Sequence, residues 1–308
     1  MTLLNGLTRE MLERRKINME LAKNELRISI TAACNMKCVY CHNEGNKKFA
    51  VMTTEQIKKI IEAAKNYNLK KVRITGGEPL VSPYVEEICK TLAEDYNLNV
   101  EMNTNGIEVK KLTRMIDNGW LKKVVVGMDY FDGIVSKNSP VGKSSEIIKN
   151  NILEIKKHGC DVRIATVYNE DDINTLNIIK WAIDNEIGVR ILEIVKDEID
   201  EEYSKKYITF LQFVTNNVNL DWYVDERLQE INGSKNGKTL VKFYHSLCRL
   251  GLCNICREIP FRITSNGTAK PCLLSSVEDV NLFEGDIDKK LKKVLEYKLC
   301  NISTSVEK

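Results

Sequence analysis

The segment RISITAACNMKCVYCHNEG, residues 27–45, places three cysteines directly behind a short β-branched strand. Cys34, Cys38 and Cys41 follow the spacing Cys-x3-Cys-x2-Cys, so one short loop can point three thiolates at a common centre. Thiolates are ligands that suit zinc and iron–sulfur clusters. A structural zinc site needs a fourth ligand, and His42 is too close to Cys41 to serve easily. The spacing therefore favours a 4Fe-4S cluster with one open iron over zinc or unligated cysteines.

Outward from this loop, the sequence alternates between apolar strands and helices with apolar spacing. Six strands are predicted: RISI (27–30), KVRIT (71–75), LNVEMN (98–103), LKKVVVGM (121–128), DVRIATV (161–167) and VRILEIV (189–195). Predicted helices follow them, beginning with one capped by Thr53 or Thr54 and ending with one at 201–217. Nearly continuous apolar strands indicate a parallel sheet covered by helices. We therefore expect an α/β fold, either an open doubly wound sheet or a complete or partial barrel.

The regular alternation ends near residue 220, which suggests three parts. We expect a helical lead-in at 1–25, a βα unit at 26–220 and a C-terminal region at 221–308. The segment LQEINGSKNGKTL (228–240) is polar and contains glycines, and it is predicted to be a mobile loop. PFRITSNGTAKPC (260–272) is predicted to be a hairpin with Asn266-Gly267 as its turn.

Composition and charge favour a cytoplasmic protein without a membrane or nucleic-acid partner. The 46 basic residues exceed the 43 acidic residues by three, and no basic stretch is typical of a nucleic-acid-binding tail. No apolar run reaches the roughly 18 residues needed to span a bilayer. The N-terminus becomes charged too early for a secretory signal. In a reducing compartment, the ten cysteines are expected to bind metal or stay free rather than to form disulfides.

A second group, Cys253, Cys256 and Cys272, has the spacing Cys-x2-Cys-x15-Cys. A zinc ribbon would need a cysteine at position 275, where Ser275 stands. A zinc site would therefore have to recruit His245, Cys248 or Cys300. The other interpretation is a second 4Fe-4S cluster with an open iron, for which Cys248 could supply a fourth ligand.

The first cysteine group, followed by ITGGEPL (74–80), resembles the radical S-adenosylmethionine (SAM) superfamily. The resemblance implies a partial (βα)6 barrel of the TIM type with a small C-terminal cluster-binding extension. It also implies that a cluster on the first three cysteines binds S-adenosylmethionine and cleaves it to a 5′-deoxyadenosyl radical. The positions that match cofactor-binding positions of the family are Tyr40, Gly76, Gly77, Glu78, Thr104, Asn105, Asp129 and Arg163. Gly127 stands where relatives carry a serine, and no residue is assigned a catalytic role.

With the second cysteine group included, the chain more narrowly resembles the GTP 3′,8-cyclase family of molybdenum-cofactor biosynthesis, from about Leu26 to Leu274. The resemblance implies two 4Fe-4S clusters, an anionic nucleotide substrate with GTP first among candidates, and an electron donor such as flavodoxin or ferredoxin. Basic positions that match the family's substrate contacts are Arg27, Lys71, Arg73, Arg190 and Arg262. Pro260 replaces a second arginine of the C-terminal motif, which suggests a ligand with fewer phosphates or a different tail. Alternatives are another nucleotide, a nucleotide sugar, a peptide, or a non-catalytic zinc-binding protein.

Overall fold

The computed structural model describes residues 20–38, 40–43, 50–132, 145–194, 201–225, 230–244, 259–271 and 280–300. Residues 297–300 are described without their side chains. All six predicted strands are present and pair in parallel in chain order. They are β1 (Glu25–Ser29), β2 (Lys71–Thr75), β3 (Asn99–Thr104), β4 (Lys123–Gly127), β5 (Asp161–Val167) and β6 (Gly188–Leu192).

Six of the seven helices follow the strands as predicted, and the seventh lies in the C-terminal region, where no helix was predicted. They are α1 (Thr54–Ala64), α2 (Val85–Lys90), α3 (Lys110–Asp117), α4 (Ser145–Lys157), α5 (Asp172–Asp184), α6 (Glu201–Asn217) and α7 (Ile287–Cys300). α1 begins with a capping box, in which Thr53 and Gln56 satisfy each other's backbone N–H groups. Within the described segments, none of the helices has the length and apolar character needed to cross a membrane.

Six further strands extend the sheet at both ends. They are β7 (Asp221–Asp225), β8 (Glu230–Lys235), β9 (Lys238–Tyr244), β10 (Arg262–Ile263), β11 (Thr268–Lys270) and β12 (Val280–Asn281). The strand order is β12-β11-β10-β1-β2-β3-β4-β5-β6-β9-β8-β7, with β10 parallel to β1 and β9 parallel to β6. The curved sheet has two free edges, so the barrel is partial and is not closed. The predicted α/β fold with a partial barrel is confirmed.

The polar segment 228–240 is not the predicted mobile loop. Its described part forms most of the β8–β9 hairpin, whose turn residues Asn236 and Gly237 have φ angles of 53° and 74°. Asn-Gly with two positive φ values is the favoured two-residue hairpin turn, and it outweighs the polar composition. The hairpin predicted around Gly267 is confirmed by the antiparallel pairing of β10 and β11. Because strands before and after residue 220 share one sheet, the division at that residue stays a prediction.

Side chains alternate between the two faces of the sheet, and this alternation positions the site. Leu26, Ile28 and Ile74 are fully buried in the core that the helices cover. Their neighbours Arg27 and Arg73 lie on the opposite face, towards the barrel interior. The face of the sheet that the helices cover is therefore apolar, and the face towards the barrel interior is rich in charged side chains.

Candidate functional site

The cysteine loop leaves the carboxyl end of β1. Cys34 and Cys41 are exposed and Cys38 is half-buried, so all three thiols can be reached from the barrel mouth. The Met36 N–H donates to Cys34 Sγ at 3.3 Å, and the Asn43 N–H donates to Cys41 Sγ at the same distance. Such N–H donors stabilise a thiolate. The loop therefore leaves its sulfur atoms accessible and does not pack them into the core.

Burial and neighbouring charges shift the pKa values of the Cys34 and Cys38 thiols. Burial, together with the charges of Asp129 and Cys41, raises the pKa of Cys38 to about 11. Burial also raises the pKa of Cys34, with Glu78 and Cys41 adding to the shift. These thiols are protonated at neutral pH unless they ligate a metal, which requires the thiolate. Within the described ranges, no three His, Cys, Asp or Glu side chains are grouped around a single ion-sized point.

Gly76 and Gly77 let the next loop pass directly beneath the cysteine loop. A Cβ on Gly77 would lie 2.3 Å from the Ala33 carbonyl oxygen, and one on Gly76 would lie 2.6 Å from that of Thr31. The Gly77 N–H donates to the Thr31 carbonyl at 2.7 Å, and the Glu78 N–H donates to that of Ala33 at 2.8 Å. The two glycines are therefore needed for the contact that holds the cysteine loop in place.

Glu78 joins the ends of β2 and β3. Its side chain is 1% exposed and accepts hydrogen bonds from the Leu80 N–H at 3.1 Å, the Thr104 hydroxyl at 2.8 Å and the Asn105 N–H at 2.7 Å. Burial raises the pKa of Glu78 to about 7, although all three donors lower it. The Glu78 carboxylate therefore accepts hydrogen bonds from three protein donors, while the Glu78 backbone N–H is hydrogen-bonded to the cysteine loop.

Two further contacts connect the cysteine loop to β3 and β4. The Asn105 side-chain amide donates to Asn35 Oδ1 at 2.7 Å, between the first two cysteines. The Tyr40 hydroxyl donates to the Asp129 carboxylate, which also accepts from the Val167 N–H at 2.8 Å. The predicted cofactor residues of β1 to β4 are thus gathered at one end of the barrel.

Arg163 is not brought to this group. It is the third residue of β5, four residues before Val167, and so lies about 13 Å further down the strand at 3.3 Å per residue. Its guanidinium approaches Asp161 at 3.5 Å. It lines a cavity of about 410 Å³ with Lys156 and Lys242 at the opposite end of the strands. Its role in cofactor binding stays a prediction, and strand β5 places Arg163 near its start, away from the other predicted cofactor residues.

The predicted substrate-binding cations all lie on strands. Arg27 on β1 is directly opposite Arg73 on β2 and Arg262 on β10. The Arg190 guanidinium carbon lies 5.8 Å from the centroid of the Tyr244 ring. Burial and the charges of Arg73 and Arg190 lower the pKa of Arg27 to about 10, so Arg27 stays charged at neutral pH. These cations share the barrel interior and repel one another.

Two buried carboxylates in this interior, Glu25 and Glu101, were not singled out from the sequence. They form ion pairs with Lys71 and Arg73. The signal was present in the sequence, since each is an acidic residue at an inward-facing position of an otherwise apolar strand. Cys253, Cys256 and Cys272 lie outside the described residues, as do His245 and Cys248.

Orphaned polar atoms line the same interior. In the part of the chain that the structure describes, Asn103 Oδ1, Thr75 Oγ1, Arg27 Nε and Arg190 Nε are buried without a hydrogen-bond partner. Unsatisfied buried polar atoms are costly and usually have a ligand or water to pair with. With three accessible thiols at the mouth, these atoms fit a cluster-bound polar ligand that extends into the barrel.

Fold and site together define a partial-barrel protein with a three-cysteine loop at the carboxyl ends of its strands. Residues 28–182 match the radical SAM superfamily. The chain belongs to this superfamily and is a radical SAM enzyme, which confirms the resemblance seen in the motifs.

Relatives extend the similarity beyond the shared barrel. A protein named probable GTP 3′,8-cyclase from Methanococcus maripaludis is 27% identical over 267 residues, covering 80% of this chain and 84% of the relative. The GTP 3′,8-cyclase of Alkaliphilus metalliredigens is 29% identical over 276 residues, covering 83% and 82%.

Solved structures show the same fold at lower identity. Streptococcus suis SuiB bound to precursor peptide SuiA superposes with a TM-score of 0.65 at 18% identity, covering 94% of this chain and 68% of that one. Native anSMEcpe with bound AdoMet gives a TM-score of 0.61 at 18% identity, covering 86% and 82%.

Proposed function

We propose that this enzyme binds a 4Fe-4S cluster through Cys34, Cys38 and Cys41 and removes a hydrogen atom from a nucleotide held inside the barrel. When bound, the cluster and S-adenosylmethionine together supply a 5′-deoxyadenosyl radical. GTP is the first candidate substrate, because the curated relatives carry the name GTP 3′,8-cyclase. The observation that carries the substrate proposal is the pair Arg27 and Arg190, inward-facing cations whose Nε atoms have no partner in the described structure.

The residues at the mouth would position the cofactor. Gly76 and Gly77 keep the backbone of their loop against the cysteine loop, and Glu78 joins that loop to Thr104 and Asn105. Asp129 can release the Tyr40 hydroxyl and accept from a ribose hydroxyl instead, since both are O–H donors. These contacts support a preorganised site in which few groups have to move on binding.

The barrel interior would hold the anionic part of the substrate. Arginine presents a planar fork of donors that matches phosphate oxygens, and Arg27 and Arg190 approach from β1 and β6. Burial, together with repulsion from Arg73 and Arg190, lowers the pKa of Arg27, and binding an anion there would offset this repulsion. This relief is specific to an anionic ligand and supports a phosphorylated substrate over a neutral one.

The proposal also includes features that rest on the resemblance. Cys253, Cys256 and Cys272 would hold a second 4Fe-4S cluster that binds the purine, and flavodoxin or ferredoxin would supply electrons in the cytoplasm. Replacing these three cysteines together should abolish product and leave uncoupled cleavage of S-adenosylmethionine. A triple variant that keeps its iron content and still forms product would contradict the substrate-binding role of this group.

Anaerobic turnover tests the function directly. Reconstituted protein is incubated with S-adenosylmethionine, dithionite and a panel of guanosine, adenosine and uridine nucleotides, nucleotide sugars and a peptide. We expect 5′-deoxyadenosine together with a new product from a nucleotide. Cleavage of S-adenosylmethionine without any nucleotide product would support the enzyme class and reject the nucleotide substrate. Two zinc ions and no iron per chain would reject the proposed 4Fe-4S cluster.

A further inference from the structure

Four charged side chains from β1, β2 and β3 form a closed network in the barrel interior. Lys71 Nζ lies 2.6 Å from Glu25 Oε2 and 3.7 Å from Glu101 Oε1. Arg73 lies 3.2 Å from Glu25 through Nε and 2.6 Å from Glu101 through a terminal nitrogen. The two carboxylates are 2% and 8% exposed as side chains, so water screens these pairs little. Both cations that β2 contributes to the expected substrate site are therefore already neutralised.

The carboxylates remain ionised in this setting. Burial raises the pKa of Glu25, but the charges of Arg73, Lys71 and Arg27 outweigh it, and the pKa lies below its usual value. A polyphosphate that recruited Lys71 or Arg73 would have to separate a buried ion pair. It would also bring its own negative charge beside Glu25 and Glu101. Both effects oppose binding of a highly charged anion.

The other interior cations are unequally compensated. Lys242 pairs with Glu230 at 2.9 Å, while Lys123 and Arg163 share Asp161 at 3.3 and 3.5 Å near the starts of their strands. Arg27 and Arg190 form no ion pair in the described part of the chain. Two guanidinium groups without an ion-pair partner match the charge of one phosphate monoester, which is about −1.5 to −2 at neutral pH.

We infer that Glu25 and Glu101 limit the number of phosphates this site accepts, and that the substrate anion is a phosphate monoester, as in a nucleoside monophosphate, in place of a triphosphate. The inference rests on the proposed function, in which a nucleotide occupies the barrel interior, and it replaces GTP, the candidate taken from the names of the relatives, with a nucleoside monophosphate. Arg27 and Arg190 would hold the phosphate, and the two carboxylates would exclude the additional phosphates by charge. Glu25 and Glu101 are thus specificity-determining residues that do not themselves contact the favoured substrate.

The inference is tested by calorimetry on the whole chain with its clusters reconstituted. The measurements are anaerobic and contain no added divalent metal. The probes are GMP and GTP, and also inorganic phosphate and tripolyphosphate, which report on charge alone. Wild type should bind each triphosphate probe no more than about threefold tighter than its monophosphate counterpart. Glu101→Gln should strengthen tripolyphosphate binding about tenfold or more and change phosphate binding little, because it frees one cation of the network.

Glu25→Gln is a second, independent variant, and glutamine keeps an acceptor for Arg73 so that the fold can persist. Glu62→Gln is the matched control, since Glu62 pairs with Lys65 on the exposed face of α1. Iron content and circular dichroism verify folding. If wild type already binds tripolyphosphate more than about threefold tighter than phosphate, the inference is overturned, and the wild-type ranking decides this even if both variants misfold. If the inorganic probes follow the expected ranking but neither GMP nor GTP binds, the charge limit stands and the nucleotide substrate is rejected.

Discussion

The hydroxyl of Thr104, at the end of β3, donates a hydrogen bond of 2.8 Å to the buried carboxylate of Glu78 in the loop after β2. Thr104→Val keeps the shape of the side chain and removes this donor. Because a buried carboxylate then loses a hydrogen bond, we expect the free energy of unfolding to fall by about 1–3 kcal/mol. Urea unfolding of the metal-free, reduced protein measures the loss. Thr113→Val is the control, since the Thr113 hydroxyl is exposed and bonds only to the Lys110 carbonyl. Equal losses in both variants would contradict a special role for the Thr104 contact.

Gly77→Ala should loosen the cysteine loop. The added Cβ would lie 2.3 Å from the Ala33 carbonyl oxygen, so the two loops must separate. We expect destabilisation of about 1–3 kcal/mol and a reduced iron content after reconstitution, measured by iron and sulfide analysis. Gly127→Ala provides the comparison, because its Cβ would make an ordinary contact of 3.7 Å with the Thr104 carbonyl. Full iron loading in Gly77→Ala would show that the close approach is dispensable.

Each of Cys34→Ala, Cys38→Ala and Cys41→Ala should abolish reductive cleavage of S-adenosylmethionine, because each removes one of three thiolate ligands from the proposed cluster. The measurement is 5′-deoxyadenosine formed by purified, reconstituted protein with dithionite. Cys160→Ala is the control, since Cys160 lies just before β5, away from the other three cysteines. Wild-type yields of 5′-deoxyadenosine from any of the three ligand variants would refute the cluster assignment.

Arg27→Gln and Arg190→Gln should each weaken binding of the substrate nucleotide while leaving the iron content unchanged. Loss of one charged hydrogen-bond contact costs about 1.5–3 kcal/mol, which corresponds to roughly ten- to a hundredfold in Kd. Calorimetry measures the affinities. Arg114→Gln is the control and should leave nucleotide binding unchanged, since Arg114 pairs with Glu86 on the outer surface. Nucleotide binding that survives both interior replacements would reject the barrel interior as the anion site.

His158 should make stability depend on pH. The hydrogen bond of 2.6 Å from its Nδ1 to Asp117 raises the pKa of His158 above its usual 6.5. The folded state therefore binds the proton more tightly than the unfolded state. This contribution is complete below pH 6.5 and is lost as pH rises through the folded-state pKa. The Tm difference between wild type and His158→Asn should be larger at about pH 6 than at about pH 8.5. Lys58→Gln is the control, since Lys58 pairs with Glu55 on α1 and shares no partner with His158, and its Tm difference from wild type should be the same at both pH values.

Strand and helix positions were predictable because each depends on a pattern within a short stretch of chain. The polar segment 228–240 was the failure, since its composition indicated a loop while Asn236-Gly237 directed a hairpin turn. Residues of the cysteine loop and of the Gly-Gly-Glu segment were predictable for a related reason, because their spacing along the chain carries the pattern. The distance of Arg163 from the other predicted cofactor residues was not predictable, because a match between motifs does not give the position of a residue along its strand relative to neighbouring strands.

The sequence by itself determined the six βα units, the three-cysteine loop and the set of inward-facing cations, since local periodicity places side chains on one face or the other. Only the tertiary structure decided which of those cations are available to a ligand. Arg73 meets Glu25 and Glu101 across separations of 48 and 28 residues. Whether such residues meet depends on strand order and register, which set the distances between charges on neighbouring strands. Charge pairing in a barrel interior is a property of the assembled sheet, and no single strand contains it.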